Sequence, residues 1–530
     1  TQSDIERSLG DMNAAIGHAE RYQEARPTDI AAGIKLGDLL RDTGDLEGAQ
    51  GYYEQAQLLE GDTITPILRQ HLIAARQGDD ARARGLLEEA AAVARTASQQ
   101  AQVHQYAAYH EMRNGRLGKA IELYRPDALP VLFDLQVEAE VLGCPLQWAD
   151  DAPPSVTGHP MSLMEGEGKS LEDLPEFSVD RGRVPMALDV TRRMRETVGD
   201  EVALYGLVTG PFTLTMHLMG NDLFMAMYDE ADKVKAVSRF AAEIGARMAR
   251  AYLDAGADVI AVVDPMVSQI SPEHFAEFVT EPANVIFDAV HDAGGLGSMF
   301  VCGDATRNLE VMADTHCDNV SIDEQIPLAK IKAICEARGK SFGGNLKLTV
   351  VLLMGDEIDA KQETLACLDA AGDTGFVLAP GCDLPYSVPA KNLRAVAELV
   401  HDPYQRDVAR TLEKKQADTF EDIELPDYAR EPAVIVDVIT LNSESCAPCQ
   451  YMFEAALQAR GWVATDFKVD VREHRITTRE GVGMMTKLGV GNLPSICIDG
   501  EWKFASLIPD TQTLAQAIAE RAKAKGLATV

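Results

Sequence analysis

Short apolar segments alternate with amphipathic helical segments along the middle of the chain. Seven such segments are predicted to be strands: 129–133, 202–208, 258–263, 299–301, 319–322, 341–344 and 374–378. Strands that are apolar along nearly their whole length are buried on both faces, as in parallel sheets. The alternation spans residues 125–402. It predicts a (β/α)8 TIM barrel, whose functional site lies at the carboxyl ends of the strands.

Three side chains with metal-binding chemistry follow these strands. Cys302 follows the fourth, Glu324 the fifth and Cys382 the seventh. Two thiolates and a carboxylate leave one coordination position open, as in catalytic zinc sites. The sequence therefore predicts that these residues bind one metal ion. Zinc is favoured because sulfur is a soft ligand, and Cu(I) or iron would also suit the site. The alternative is two unrelated buried cysteines and an exposed glutamate. Asp134 and Asp264 also stand at strand ends and are predicted either to position substrate or to cap the helix that follows each strand.

An interval of 34 residues recurs in the first part of the chain. Gly10, Gly44 and Gly78 are spaced by it, and Gly115 follows 37 residues later. Alanines keep the same intervals at positions 15, 49, 83 and 120. This pattern resembles tetratricopeptide repeats, although alanine-rich helix pairs also arise without repeat ancestry. The resemblance implies an all-α array over residues 1–124 that binds a corrinoid protein or another subunit, or docks on the neighbouring domain.

The C-terminal part of the chain carries a pair of closely spaced cysteines. Residues 403–431 are charged and are predicted to form a linker. Over residues 432–530, the order of segments around Cys446-Ala-Pro-Cys449 and Pro494 resembles the thioredoxin fold. The resemblance implies that Cys446 attacks disulfides, that Cys449 resolves the mixed disulfide, and that Pro494 is a cis-proline beside the pair. The alternative, half of a structural zinc site, lacks a second cysteine pair nearby.

Several motifs in the barrel region resemble the uroporphyrinogen decarboxylase superfamily. They occupy 133–143, 208–213, 255–260, 263–265, 301–303 and 380–382. They are more similar to its branch of corrinoid-dependent zinc methyltransferases, such as methylcobalamin:coenzyme M methyltransferase. That resemblance implies zinc and a methylcorrinoid donor. Where the branch has a zinc-binding histidine, this chain has Phe300. His217 is the candidate replacement, but a lone histidine on an apolar helix is usually a packed residue.

The net charge limits the classes of partner that the chain can bind, and the number of cysteines indicates its compartment. The chain has 49 Lys and Arg against 83 Asp and Glu, a formal net charge of −34. This charge repels phosphate backbones and anionic lipids, so neither nucleic acid nor a membrane is expected as a partner. Nine scattered cysteines favour a reducing cytoplasm over a secreted disulfide scaffold. No apolar stretch reaches the roughly 18 residues of a membrane span.

Together these features predict a metal-dependent methyltransferase. It would move a methyl group between a corrinoid or similar donor and a small thiol or other sulfur-containing acceptor. The thioredoxin-like domain would keep Cys302 and Cys382 reduced, or deliver or release a sulfur-containing substrate. One alternative is a thiol–disulfide redox enzyme that uses the barrel cysteines together with the Cys446/Cys449 pair. Others are a decarboxylase or lyase acting on a small carboxylate, and a non-catalytic scaffold.

Overall fold

The structure is a computed structural model. It describes residues 12–43, 45–59, 64–77, 79–95, 103, 117–147, 154–163, 166–385, 388–412, 420–441, 443 and 447–527. The chain divides into two compact units, Thr1–Arg125 and Pro126–Val530. The described part of the first unit contains helices. The described part of the second unit contains sheets of seven, four and two strands.

The elements of secondary structure described in the first unit, up to Tyr124, are helices. Its helices are α1 (Met12–Ala25), α2 (Ile30–Asp42), α3 (Leu46–Leu59), α4 (Ile64–Arg76), α5 (Asp80–Val93) and α6 (Leu117–Tyr124). Helix α2 packs on α3 so closely that a side chain at Gly37 would collide with the Tyr53 ring. Ala49 and Ala83 are fully buried, as small residues between paired helices should be. The four glycines of the 34-residue pattern lie outside the described residues, and the repeat assignment stays a prediction.

The second unit begins with a parallel sheet of seven strands. They are β1 (Ala128–Pro130), β4 (Ala203–Thr209), β5 (Val259–Val263), β6 (Leu296–Val301), β7 (Asn319–Ile322), β8 (Ser341–Leu346) and β9 (Phe376–Pro380), which pair in that order. Every neighbouring pair is parallel. This curled sheet is consistent with the predicted TIM barrel. A separate two-stranded antiparallel pair is formed by β2 (Leu146–Gln147) and β3 (Ser155–Val156).

Helices connect and cover these strands. They are α7 (Val137–Val141), α8 (Val184–Val198), α9 (Pro211–Met219), α10 (Asp222–Asp229), α11 (Ala231–Asp254), α12 (Pro272–Phe278), α13 (Thr280–Asp292), α14 (Leu309–Ala313), α15 (Leu328–Glu336), α16 (Glu357–Ala371), α17 (Ala390–His401) and α18 (Pro403–Arg410). Helix α11 shows the usual amphipathic pattern, because its buried residues recur every three or four positions from Val234 to Tyr252. A continuous apolar core joins these helices to the strands.

A mixed sheet of four strands forms the rest of the second unit. Its elements are β10 (Val434–Thr440), α19 (Ala447–Val463), β11 (Val469–Arg475), α20 (Arg479–Lys487), β12 (Ser495–Ile498), β13 (Glu501–Ala505) and α21 (Thr511–Ala524). The strand order is β11-β10-β12-β13. Strand β10 is parallel to β11 and antiparallel to β12. The Leu493–Pro494 peptide bond is cis. The thioredoxin-like assignment of this C-terminal module, residues 432–530, stays a prediction.

No helix among the described residues is both long enough and apolar enough to cross a lipid bilayer.

Candidate active site

The carboxyl ends of parallel strands share one edge of a sheet, so residues that follow β5, β6, β7 and β9 converge. Cys302 comes directly after β6, and Cys382 follows β9 by two residues. Their Cα atoms lie 5.8 Å apart, and the two side chains are paired as a disulfide. That Cα separation is within the usual range for disulfides, roughly 4.4–6.8 Å. The structure therefore brings together two of the three predicted metal ligands.

The cysteine pair lies against apolar side chains at the end of the sheet. Cys302 is 8% exposed and packs with Leu207, Val263 and Phe300. The Phe300 ring meets the Phe133 ring edge to face, with centroids 6.1 Å apart. These neighbours shield the Cys302 side chain from water, whereas Cys382 is only partly buried. Phe300, which replaces the histidine of the corrinoid-dependent zinc methyltransferases, therefore forms an aromatic wall of the site.

Glu324 lies beside the strand end that carries Cys382. A side chain at Gly381 would approach the backbone nitrogen of Glu324 to 2.5 Å, so the two backbones are in close contact. Only glycine fits there, which explains the Pro-Gly-Cys motif. One carboxylate oxygen of Glu324 accepts a hydrogen bond from the Leu348 amide at 2.5 Å. Burial, together with the charge of Asp323, raises the pKa of Glu324 to about 7.

The predicted three-ligand metal site is not assembled in this arrangement. Within the described part of the chain, no three His, Cys, Asp or Glu side chains are grouped closely enough to hold a metal ion. Cys302 and Cys382 are bonded to each other and are therefore not thiolates in this arrangement. Reduction would release two thiolates, and the backbone of Glu324 adjoins Gly381, the residue before Cys382. Two thiolates and a carboxylate are a donor set that suits a soft divalent cation.

Asp383 is a further acidic residue of the site that the sequence pattern did not single out. It directly follows Cys382 and is half-buried. Burial raises its pKa to about 7, with a further contribution from the charge of Asp134. Its position next to a predicted ligand is the signal that could have identified it. A second acid with a raised pKa thus lies next to the cysteine pair.

Asp134 is held by a network of polar contacts. One of its oxygens accepts a hydrogen bond from the Gln136 amide at 2.9 Å, and the other pairs with the Arg183 guanidinium. Arg183 also binds Glu140 at 2.7 Å. Asp134 is 8% exposed. These contacts orient an arginine near the strand ends, which agrees with a positioning role for Asp134, and that role stays a proposal.

Asp264 holds the N-terminus of α9. Its carboxylate accepts hydrogen bonds from the Phe212 amide at 3.0 Å and the Thr213 amide at 2.8 Å, and from the Thr213 hydroxyl at 2.6 Å. A side chain at Gly210 would lie 2.2 Å from Asp264, so glycine is required there. Asp264 is fully buried. Of the two predicted roles, these contacts favour the helix cap, with the difference that α9 precedes Asp264 along the chain.

His217 is a packed residue on α9. It is fully buried, and its Nδ1 lies 3.1 Å from the Tyr451 hydroxyl. Burial, with a smaller effect of His159, lowers the pKa of His217 to about 3, so the ring is neutral at ordinary pH. The ring contacts the C-terminal module, and no contact between it and the two barrel cysteines is seen in the described residues.

The C-terminal cysteine pair is described only in part. Cys449 is buried in the first turn of α19, and its sulfur accepts a hydrogen bond from the Leu441 amide at 3.3 Å. Cys446 lies outside the described residues. The cis peptide before Pro494 confirms the conformation predicted for that residue.

Glu138 makes the stability of the barrel depend on pH. It is almost fully buried, and its carboxylate accepts hydrogen bonds from the amide and the hydroxyl of Thr209. Burial raises its pKa from 4.5 to about 7. The folded chain therefore binds this proton more tightly than the unfolded chain. The resulting stability is complete below pH 4.5 and is lost as the pH rises to about 7.

We expect Glu138→Gln to flatten this pH dependence. As the pH rises from 4.5 to 8, ionisation of Glu138 should lower the free energy of unfolding of the wild-type chain by on the order of 3 kcal/mol. An amide carries no charge, so the variant should lose this contribution. Urea denaturation of the barrel followed by circular dichroism at several pH values measures it. Glu196→Gln, an exposed position on α8, is the control and should keep the wild-type slope. An unchanged slope in Glu138→Gln would contradict the assignment.

The barrel region matches known proteins. The family model for uroporphyrinogen decarboxylase (URO-D) matches residues 117–403. Methylcobamide:CoM methyltransferase MtaA of Methanosarcina barkeri is 30% identical over 282 residues, which are 52% of this chain and 79% of that protein. Methylcobamide:CoM methyltransferase MtbA of Methanosarcina acetivorans is 28% identical over 275 residues, 51% of this chain and 78% of that protein.

A solved structure described as a methyltransferase from Methanosarcina mazei matches with a TM-score of 0.49 and 26% identity, and the match covers 55% of this chain and 86% of that one. The family model spans more than half of the 530 residues and includes every strand of the parallel sheet. The chain therefore belongs to the uroporphyrinogen decarboxylase family.

Proposed function

We propose that the chain is a metal-dependent methyltransferase that moves a methyl group from a corrinoid or similar donor to a small thiol. The observation that carries the proposal is the convergence of Cys302 and Cys382, whose Cα atoms are 5.8 Å apart at the carboxyl edge of the sheet. Two relatives in the same family are named as methylcobamide:CoM methyltransferases. They favour methyl transfer over the decarboxylase alternative.

The residues of the site have separate roles in this proposal. Reduced Cys302 and Cys382, with Glu324, would hold the metal, and zinc is the favoured ion. Zinc bound there would take up the sulfur of the acceptor and keep it deprotonated at neutral pH. Phe300 and its apolar neighbours would limit the access of water to Cys302, which would reduce the solvation of a sulfur nucleophile held there. The pair of Asp134 and Arg183 would orient a polar part of the substrate.

The other parts of the chain would assist this reaction. The C-terminal module would act as a thioredoxin-like redox domain that keeps Cys302 and Cys382 reduced, or that delivers or releases a sulfur-containing substrate. The helical first unit would recruit a corrinoid protein or another subunit. A reducing cytoplasm suits these roles, because the site needs thiolates.

Metal analysis and a thiol-methylation assay test the proposal together. Protein purified under reducing conditions should contain about one zinc per chain. It should consume methylcobalamin in the presence of coenzyme M or another small thiol, as followed by absorbance. Treatment with a chelator should abolish this activity, and added zinc should restore it. Full activity of the chelated, metal-free protein would refute the metal-dependent mechanism.

The pairing of the two cysteines favours a second candidate, a thiol–disulfide redox enzyme without metal. In that case Cys302 and Cys382 would cycle between dithiol and disulfide together with the Cys446/Cys449 pair. Thiol titration and metal analysis of one sample separate the two candidates. Two titratable barrel thiols without bound metal, and with no methyl transfer, would favour the redox enzyme.

A further inference from the structure

We propose that the C-terminal module is a fixed wall along one side of the barrel mouth, meaning the loops that follow the carboxyl ends of the strands. Substrates therefore reach Cys302 and Cys382 from the other side, between the edge strands β9 and β1. This role of the module is structural and does not involve its cysteines. Only the consequence for the methyl donor and the thiol acceptor rests on the proposed function. The barrel and the module belong to one compact unit of the chain.

The segment before Pro494 contacts the loops after β6 and β7. The side-chain amide of Asn492 donates a hydrogen bond to Asp304 in the loop after β6, at 3.1 Å. The backbone amide of Leu493 donates to the side-chain oxygen of Gln325 in the loop after β7, at 3.0 Å. The module is thus held at two neighbouring loops of the mouth, which are the loops that follow Cys302 and contain Glu324.

Asp323 joins these two loops to each other. One of its carboxylate oxygens accepts from the Gly303 amide at 2.8 Å. The other accepts from the amide of Gln325 at 2.9 Å and from its side-chain nitrogen at 3.1 Å. Because Asp323 binds the side-chain nitrogen of Gln325, the side-chain oxygen is directed to Leu493. Asp323 is 7% exposed, so water competes little for these bonds, and the two loops present one ordered surface to the module.

The loop after β5 belongs to the same side of the mouth. The Ile508 amide of the module donates to the side-chain oxygen of Gln269, which ends the short helix after β5, at 3.0 Å. A side chain at Gly303 would lie 3.1 Å from the Ser268 hydroxyl, so the loops after β5 and β6 are in close contact. The module therefore lies across the loops of three consecutive strands.

Helix α19 anchors the module to the barrel at a separate place. The side chain of Gln450 donates to the Val156 carbonyl at 2.5 Å. Tyr451 is fully buried in the apolar core of the barrel, and its hydroxyl lies 3.1 Å from Nδ1 of His217. A buried tyrosine with a hydrogen-bonded hydroxyl is a typical anchor of a stable interface. Because these contacts are well separated from those at the mouth, the module is held against rotation as well as against lifting.

The opposite side of the mouth is open to solvent. The parallel sheet has two edge strands, β1 and β9, and none of their residues is buried, whereas every residue of β5 is buried. Cys382, which follows β9, is partly exposed, whereas Cys302 is 8% exposed. Among the residues that the structure describes, no hydrogen bond joins the module to the loops after β8 or β9. The cysteine pair is therefore approached from the side of Cys382.

The proposed methyl transfer would use this open side. A corrinoid donor is large and planar, and it must come close to the acceptor sulfur. Since the module occupies the loops after β5, β6 and β7, the donor would approach over β9 and β1, past Cys382 and Asp383. Asp134 follows β1, so its pair with Arg183 lies at the same opening, where it would meet the entering substrate.

Hydrogen exchange tests whether the wall is fixed. The Leu493 and Ile508 amides donate to barrel side chains, so they exchange when the module separates from the mouth. In the reduced full-length chain, we expect both amides to exchange at least about 100-fold more slowly than in an unfolded peptide, as resolved by electron-transfer fragmentation. Gln325→Ala should remove the protection of Leu493 and keep that of Ile508, whereas Gln362→Ala on α16 should change neither. Two unprotected amides in the wild-type chain overturn the proposal.

Thiol modification tests which side of the mouth is open. Cys382→Ser leaves Cys302 to be measured, and Cys302→Ser leaves Cys382, both in reduced, chelator-treated protein. With a polyethylene glycol maleimide and peptide mapping, we expect Cys382 to react at least about tenfold faster than Cys302 in the folded chain and at a similar rate in urea. Equal rates in the folded chain, or faster reaction of Cys302, overturn the proposal.

Loosening the wall provides the matched comparison. Adding Gln325→Ala with Asn492→Ala should speed the modification of Cys302 at least about threefold and leave that of Cys382 unchanged. Adding Gln362→Ala should change neither rate. An equal increase at both cysteines would mean that the module does not cover one side selectively, and it would overturn the proposal. None of these measurements requires metal or methyl transfer, so a one-sided mouth in a chain that transfers no methyl group would refute only the proposed function.

Discussion

Replacing Cys302 or Cys382 with alanine is expected to abolish metal binding and to lower the rate of methyl transfer by at least about 100-fold. The physical reason is the small number of donors. Changing residues that merely support a metal ligand typically costs 10–100-fold, so the loss of one of three protein ligands should cost at least the upper end of this range. The measurements are zinc content and the rate of methylcobalamin consumption. Both are made under reducing conditions, so that the wild-type chain also lacks the Cys302–Cys382 disulfide.

Cys335→Ala is the matched control for these two variants. Cys335 is fully buried on α15 and is not paired with another cysteine in the described residues. Its replacement should leave both zinc content and methyl transfer unchanged apart from a modest loss of stability. If both site variants keep full zinc and full activity, the metal is bound elsewhere or is not part of the reaction, and the proposed function is wrong.

The strands of the barrel could be predicted because buried parallel strands are apolar along their length. Their ends were less predictable. Strand β6 begins at Leu296, three residues before the predicted segment. The prediction was too short because Gly297 and Ser298 interrupt the apolar pattern of the strand. Ser298 is buried nonetheless, since its hydroxyl donates to the Asn319 side chain at 2.9 Å. A polar residue that finds a partner on the next strand cannot be recognised from the pattern of one strand.

The candidate site was predictable in position but not in its contacts. Parallel strand ends share an edge, so the proximity of Cys302 and Cys382 follows from the order of elements alone. Their pairing with each other depends on how the backbones after β6 and β9 approach, and strand spacing alone does not contain that information. The contact of Asn492 with Asp304 joins residues 188 positions apart. Such polar contacts between folded parts leave no periodicity in the sequence.

Replacing Asp264 with alanine is expected to lower the free energy of unfolding of the barrel by about 3 kcal/mol or more. The substitution leaves the Phe212 and Thr213 amides at the start of α9 without their acceptor, in a place closed to water. Each buried group left unsatisfied costs about 1–3 kcal/mol. Asp258→Ala is the control, because Asp258 precedes the same strand, β5, at its opposite end and is partly exposed. Its replacement should cost clearly less.

Asp264→Asn separates a structural role of this carboxylate from a catalytic one. An amide oxygen can still accept from Thr213, but the amide nitrogen cannot accept from Phe212, so about 1–2 kcal/mol should be lost. Burial raises the pKa of Asp264 to about 6, and the comparison is therefore made at pH 8, where the wild-type carboxylate is ionised. A helix cap predicts that the folded variant keeps methyl transfer within about tenfold of the wild-type rate. A catalytic carboxylate predicts instead a loss of at least about 100-fold at nearly unchanged stability. That second result would show that Asp264 takes part in the reaction. Capping of α9 would then not be a sufficient explanation for the Thr-Gly-Pro-Phe-Thr segment.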